Sequence, residues 1–158
     1  MIKKLICLIC ILLTLCGCSQ EQKFGIEQFV WRMNENFETT YKTSDFMLGA
    51  DENEKKYLFC DNNYGLTSLS LDSDNNIIGV GLLVNESMDI NDAINTFCNI
   101  CCVFTDNEIS TQKEIFTQCK INADTIKYAD NNTVITVGKY KYTVVCNEYS
   151  ITLFCDRV

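Results

Sequence analysis

The chain has 158 residues, a formal net charge of −8, no histidine and no proline. An acidic balance works against nucleic acid, whose affinity comes from basic contacts to phosphate, and against adsorption to anionic lipid head groups. The missing imidazole removes Ser-His-Asp and Cys-His nucleophile pairs, histidine acid–base catalysis and histidine-ligated metals. Read in chain order, the sequence opens with the basic segment Met1-Ile2-Lys3-Lys4, and the run from Leu5 to Leu15 is apolar except for Thr14.

A basic start followed by an apolar run of about ten residues is the pattern of a secretory signal peptide. A membrane-spanning helix needs roughly 20 apolar residues, and an N-terminal core helix would need a polar face, which this run lacks. Leu15-Cys16-Gly17-Cys18 follows it and resembles the lipobox of bacterial lipoproteins, in which an aliphatic residue and two small ones precede an invariant cysteine. The resemblance covers the first 18 residues and describes an address rather than a fold. It implies cleavage before Cys18 and a diacylglyceryl group on its thiol, the most nucleophilic side chain near neutral pH. Cys16 is a rival acceptor, but bulky Leu15 would then occupy the cleavage position. Two acyl chains anchor stably without a spanning helix. The expected organisation is a cleaved signal over 1–17, the lipidated cysteine and a short tether over 18–24, and one domain over 25–158, at the extracytoplasmic face of a bacterial membrane. Cleavage removes Lys3 and Lys4 but no acidic residue, since the first is Glu21, so the mature charge falls from −8 to −10.

Within the domain, Ile26, Phe29, Val30, Met33 and Phe37 recur at helical spacing and predict a first helix. Trp31 falls off that stripe; it is expected to cover an edge of the core, with exposure for binding as the alternative. Lys55–Cys60, Tyr64–Leu71 and Ile77–Val84 read as strands, separated by Asp61-Asn62-Asn63 and by Asp72 to Asn76, and form a meander. Asp89 is placed to cap a helix whose buried stripe is Ile90, Ala93, Ile94, Phe97, Cys98 and Cys101. Thr111 with Glu114 has the spacing of a capping box and marks a second short helix through Ile115, Phe116 and Cys119. Strands return at Thr125–Tyr128, Thr133–Cys146, broken near Gly138 or Lys139, and Tyr149–Cys155. The class is α+β: an antiparallel sheet with helices packed on one face, in the order α-βββ-αα-βββ. A weak echo between Tyr57-Leu58-Phe59-Cys60 and Val144-Val145-Cys146, each followed by a tyrosine and a Leu/Ile-Thr run, reads either as an old duplication or as two similar hairpins.

Beyond Cys18 the mature chain carries seven cysteines: Cys60, Cys98, Cys101, Cys102, Cys119, Cys146 and Cys155. Exported proteins with many cysteines often bridge them, but these sit in apolar patterns where cysteine packs as a small hydrophobe. Buried thiols are therefore the leading expectation, with Cys60–Cys146 or Cys60–Cys155 as the bridge if one forms. Cys98-Asn99-Ile100-Cys101-Cys102 contains a Cys-x-x-Cys; its thiols are weak metal or redox candidates, because the motif lies well inside the helix rather than at its N-terminus and a tetrahedral zinc would need further ligands. Asp72-Ser73-Asp74-Asn75-Asn76 opens like a calcium loop, yet Ile77 and Leu83 stand where the glycine and the bidentate glutamate belong, so a hairpin turn is expected.

No residue earns a catalytic role and no cofactor is implied. The expected function is a non-enzymatic surface lipoprotein whose domain binds a protein or envelope component. The alternatives are a small inhibitor or immunity-type lipoprotein acting on a basic enzyme, and a thiol or metal site at Cys98, Cys101 and Cys102.

Overall fold

The computed structural model describes residues 23–62, 65–85, 89–122, 133–146 and 150–158. Helix α1 (Ile26–Phe37) buries Phe29, Val30 and Met33, the centre of the stripe read from the sequence. A 3-10 turn at Thr43–Asp45 follows, closed by Asp45 Oδ2 accepting from Lys42 N at 2.8 Å. Four strands then form a meander: β1 (Met47–Ala50), β2 (Lys56–Asn62), β3 (Gly65–Leu71) and β4 (Ile77–Asn85). Helices α2 (Ile90–Thr105) and α3 (Ile109–Gln118) come next, and β5 (Thr133–Val137), β6 (Tyr140–Cys146) and β7 (Ser150–Arg157) complete the chain.

All strand pairs are antiparallel, and the sheet order is β1-β2-β3-β4-β7-β6-β5. The α+β order α-βββ-αα-βββ is therefore present, with β1 as an extra edge strand ahead of the first three. The second meander folds back so that its last strand lies beside the last strand of the first. Equivalent positions about that central seam pair β2 with β5, β3 with β6 and β4 with β7. The sequence echo instead equates β2 with β6 and β3 with β7, so it marks similar hairpins and not symmetric positions.

Side chains alternate across the sheet with one interruption, as the two-residue period of a strand requires. Leu69, Val80, Leu82, Val84, Tyr142, Val144, Leu153 and Cys155 face the helices and are buried. An irregularity in register at Ser70/Leu71 lets Ile77 enter the core, while Ile78 turns outward. From the helices, Phe29, Phe97, Ile100 and Phe116 pack down onto this face. Phe97 stacks on Phe116 at 5.5 Å between centroids, and Phe116 meets Tyr142 edge-on at 6.2 Å.

Local chemistry sets the boundaries. Asp89 caps α2, its Oδ1 accepting from Asn91 N at 2.8 Å and Asp92 N at 3.2 Å. The segment at 72–76 is a hairpin turn: Asp72 Oδ1 accepts from Asp74 N and Asn76 N, and Asn75 takes the left-handed conformation at φ 63° that asparagine tolerates. Gly138 and Lys139 break the long second-half strand into β5 and β6, as expected. Two expectations change, and a third is untested. The helix read from Thr111 begins at Ile109, with Glu108 at the N-cap making no side-chain cap, so no capping box forms there. Trp31 is 61% exposed and does not cover the core. The strand expected at Thr125–Tyr128 lies outside the described residues. No helix among the described residues is long and apolar enough to cross a membrane.

Candidate functional site

Among the described residues, the helices cover one face of the sheet and leave the other open. On that open face, cross-strand registers set side chains in rows. One row runs Gly49, Tyr57, Ser70, Gly79, Asp156, Lys141; the next runs Met47, Phe59, Ser68, Gly81, Phe154, Thr143; a third runs Leu66, Leu83, Thr152, Val145. The first two rows thus cross β3 and β4 on serine and glycine alone. Small residues keep the middle of the face low, and aromatic rings rise on either side.

Tyr57 and Phe59 stand on β2 with ring centroids 5.9 Å apart, and Phe154 stands across from them on β7. Between them lies a slot of about 390 Å³, lined by Ala50, Asp51, Tyr57, Phe59, Leu66, Ser68, Leu83, Thr152 and Phe154. Its walls are mostly carbon, with hydroxyls from Ser68, Thr152 and Tyr57. Tyr57 OH also donates to Asp51 Oδ2 at 3.3 Å. Beside the slot, the half-buried Asp156 carboxyl lies against Gly79, where an added Cβ would collide with its Oδ1. Burial raises the Asp156 pKa, partly offset by Lys141 and Lys55. Sequence reasoning missed this surface. Its signal was the alternation Gly79, Gly81, Leu83 on one face of β4, which no single strand can interpret without its neighbours.

A second cavity, about 530 Å³, opens at the end of the sheet where α1 finishes and α2 begins. Glu38, Asp45, Asp61 and Asp92 line it together with Asn62, Asn95 and Asn99, and no basic side chain does. A polar frame holds its wall: Asn34 Nδ2 donates to Tyr41 O at 2.8 Å, and Asn62 Nδ2 donates to Tyr41 OH at 3.0 Å and Thr67 Oγ1 at 2.9 Å. Burial, together with Asp45 and Asp61, raises the pKa of the Cys60 thiol at its base.

The thiol candidates sit on α2 and are buried. Cys102 lies one turn after Cys98, and the hydrogen bond they share pulls Cys98 down while pushing Cys102 up. Cys101 turns toward β7 instead: burial raises it first, then a hydrogen bond with Cys155. Cys119, also buried, is pushed up to about 11. Residues four apart on a helix hold their Cβ atoms about 5–6 Å apart, wider than the roughly 3.5–4.5 Å of a disulfide, so Cys98 and Cys102 cannot bridge on an intact helix. Nor can Cys60 reach Cys155 or Cys146. β3 and β4 separate β2 from β7, a gap of about 14 Å at the usual strand spacing, and β6 lies farther still. No disulfide joins any of the seven cysteines, and no group of three or more His, Cys, Asp or Glu among the described residues could hold a metal ion.

Cys18 lies outside the described residues. Phe24, next to the first described residue, has its carbonyl accepting from Ile77 N at 2.7 Å, so the chain passes the start of β4 there. The acidic cavity is at the opposite end of the sheet, beyond the far end of β4. No protein-family model, no curated protein and no solved structure matches this chain.

Proposed function

We propose that the protein is a lipid-anchored extracytoplasmic binding protein, tethered through Cys18, that takes its ligand on the open face of the sheet at the slot between Phe59 and Phe154. The anchor rests on the basic start, the apolar run and Leu15-Cys16-Gly17-Cys18. The binding role rests above all on one observation: an apolar slot of about 390 Å³ with aromatic walls stands on a face that none of the described helices covers. Concave apolar sites with a few polar groups are the usual form of ligand-binding surfaces. A ligand with a flat apolar body and hydrogen-bonding edges suits the rings and the Ser68, Thr152 and Tyr57 hydroxyls.

The test is photo-crosslinking in cells. A Leu83→p-benzoylphenylalanine variant should form a defined covalent adduct, while the same residue at exposed Gln118 on α3 should not. Equal labelling at both positions, or none at Leu83, would remove the slot from the account.

The acidic cavity favours a second reading, an inhibitor or immunity-type lipoprotein acting on a basic enzyme. Four carboxylates without a basic neighbour in the lining suit a cationic side chain. If the full-length protein neither binds nor inhibits a panel of cationic hydrolases such as lysozymes, this reading fails.

A further inference from the structure

The two glycines of β4 admit two side chains of β7 next to each other. Phe154 leans over Gly81, and the Asp156 carboxyl leans over Gly79, where an added Cβ would meet its Oδ1 and stand 3.4 Å from Ser70 Cβ. Asp156 is thus half-buried on the open face, beside the ring that walls the slot. Among the described residues, no hydrogen bond or ion pair falls on its carboxylate. Lys141, its cross-strand neighbour on β6, and Lys55 act on it only at longer range. Burial outweighs both of them, because the Asp156 pKa is raised.

The polar groups of the slot point the same way. Among the described residues, none of its lining side chains carries an N–H group or a positive charge. The Tyr57 hydroxyl gives its proton to Asp51 Oδ2 at 3.3 Å, which leaves its oxygen to accept. Burial, followed by Asp51 and Asp156, raises the Tyr57 pKa and keeps that proton in place. The slot therefore offers aromatic rings, fixed acceptors and the two hydroxyls of Ser68 and Thr152.

We infer that the ligand of the slot is a small organic cation, its flat apolar body held between Phe59 and Phe154 and its ammonium group on the side of Tyr57 and Asp156. The inference rests on the binding role proposed for the slot and adds the chemical class of the ligand. An ammonium supplies the charged hydrogen bonds that burial takes from the Asp156 carboxylate, and aromatic faces attract cations. A carboxylate or phosphate would instead meet Asp51 and Asp156 with no cation in the lining to answer it. The volume of about 390 Å³ is that of a small-molecule site.

The experiment titrates the full chain, in a neutral detergent, with three probes that share one body: phenethylammonium, phenethyl alcohol and phenylacetate. The backbone amide shifts of Gly79 and Gly81 report binding at the slot and give each Kd. Phenethylammonium is expected to bind roughly tenfold tighter than phenethyl alcohol, with phenylacetate the weakest. Asp156→Asn should erase that gap and leave the affinity for the alcohol unchanged. Equal affinities for the ammonium and the alcohol, tighter binding of phenylacetate, or a gap that survives Asp156→Asn would overturn the inference. So would probes that leave both glycine amides unmoved. The crosslink at Leu83 separates the two failures. An adduct there without a preference for the ammonium refutes only the cation, whereas no adduct refutes the slot itself.

Discussion

The ring of Phe154 lies so close over Gly81 that a Cβ at position 81 would stand 2.7 Å from Phe154 Cδ1 and 2.6 Å from Ser68 Oγ. The absence of a side chain at 81 is what allows Phe154 to lean across β4 and form one wall of the slot. Gly81→Ala should therefore force Phe154 off its position. Overpacking of this kind costs typically about 1–3 kcal/mol, read as a lowered denaturant midpoint with an unchanged slope. An unaffected midpoint would mean that the ring moves aside freely and the slot wall is soft.

The buried pair Gln112 and Tyr142 is expected to behave asymmetrically. Gln112 is fully buried on α3, and its Nε2 donates to Tyr142 OH at 3.2 Å. Tyr142→Phe leaves the amide without that partner and should cost about 1–3 kcal/mol. Adding Gln112→Leu to Tyr142→Phe should deepen the loss, because Thr105 Oγ1 and Asn107 Nδ2 also donate to Gln112 Oε1 at 3.3 Å and lose their acceptor in turn. Chemical denaturation of the two variants checks the order.

Much of this architecture was legible in the sequence where a local period and a local cap agreed. The α1 stripe, the Asp89 cap of α2 and the alternation in β3 each depend on residues only a few positions apart. β1 was not legible, since Met47-Leu48-Gly49-Ala50 is short and has no alternation; Met47 and Leu48 are both exposed. The true start of α3 was hidden for another reason. Thr111 and Glu114 mimic a capping box, while buried Gln112 becomes intelligible only when Tyr142 arrives from 30 residues away. The slot needs four strands in register, and the acidic cavity needs the end of α1 beside α2, so neither could be read from one segment. Trp31, misplaced at the core edge, shows the same limit: position off the stripe does not say what lies beyond it.

Asp89→Ala should lower stability by about 1 kcal/mol, because two backbone amides at the start of α2 lose their acceptor. Asp89→Asn should retain most of the cap. Thermal unfolding of the three proteins at one pH tests this, and equal losses in both variants would assign the effect to charge rather than capping.

Asp156 gives the protein a specific pH dependence. Burial raises its folded-state pKa, so the unfolded chain releases this proton first as pH rises. Its contribution therefore falls from the ordinary carboxylate pKa up to the raised folded value, and remains unfavourable above that. Asp156→Asn should be more stable than the parent at neutral pH and equal to it at acidic pH. Stability measured against pH for both proteins gives the answer; parallel curves would contradict the assignment.

The central claim is the lipid on Cys18, since the tether and the extracytoplasmic placement of the domain both follow from it. The direct measurement is intact mass of the protein and of its Cys18→Ala variant, expressed in bacteria fed an alkyne-tagged fatty acid. The account expects a cleaved, acylated parent that carries the tag on Cys18, and an untagged, uncleaved variant. A tagged Cys18→Ala protein, or a parent that keeps residues 1–17 and carries no lipid, would contradict it.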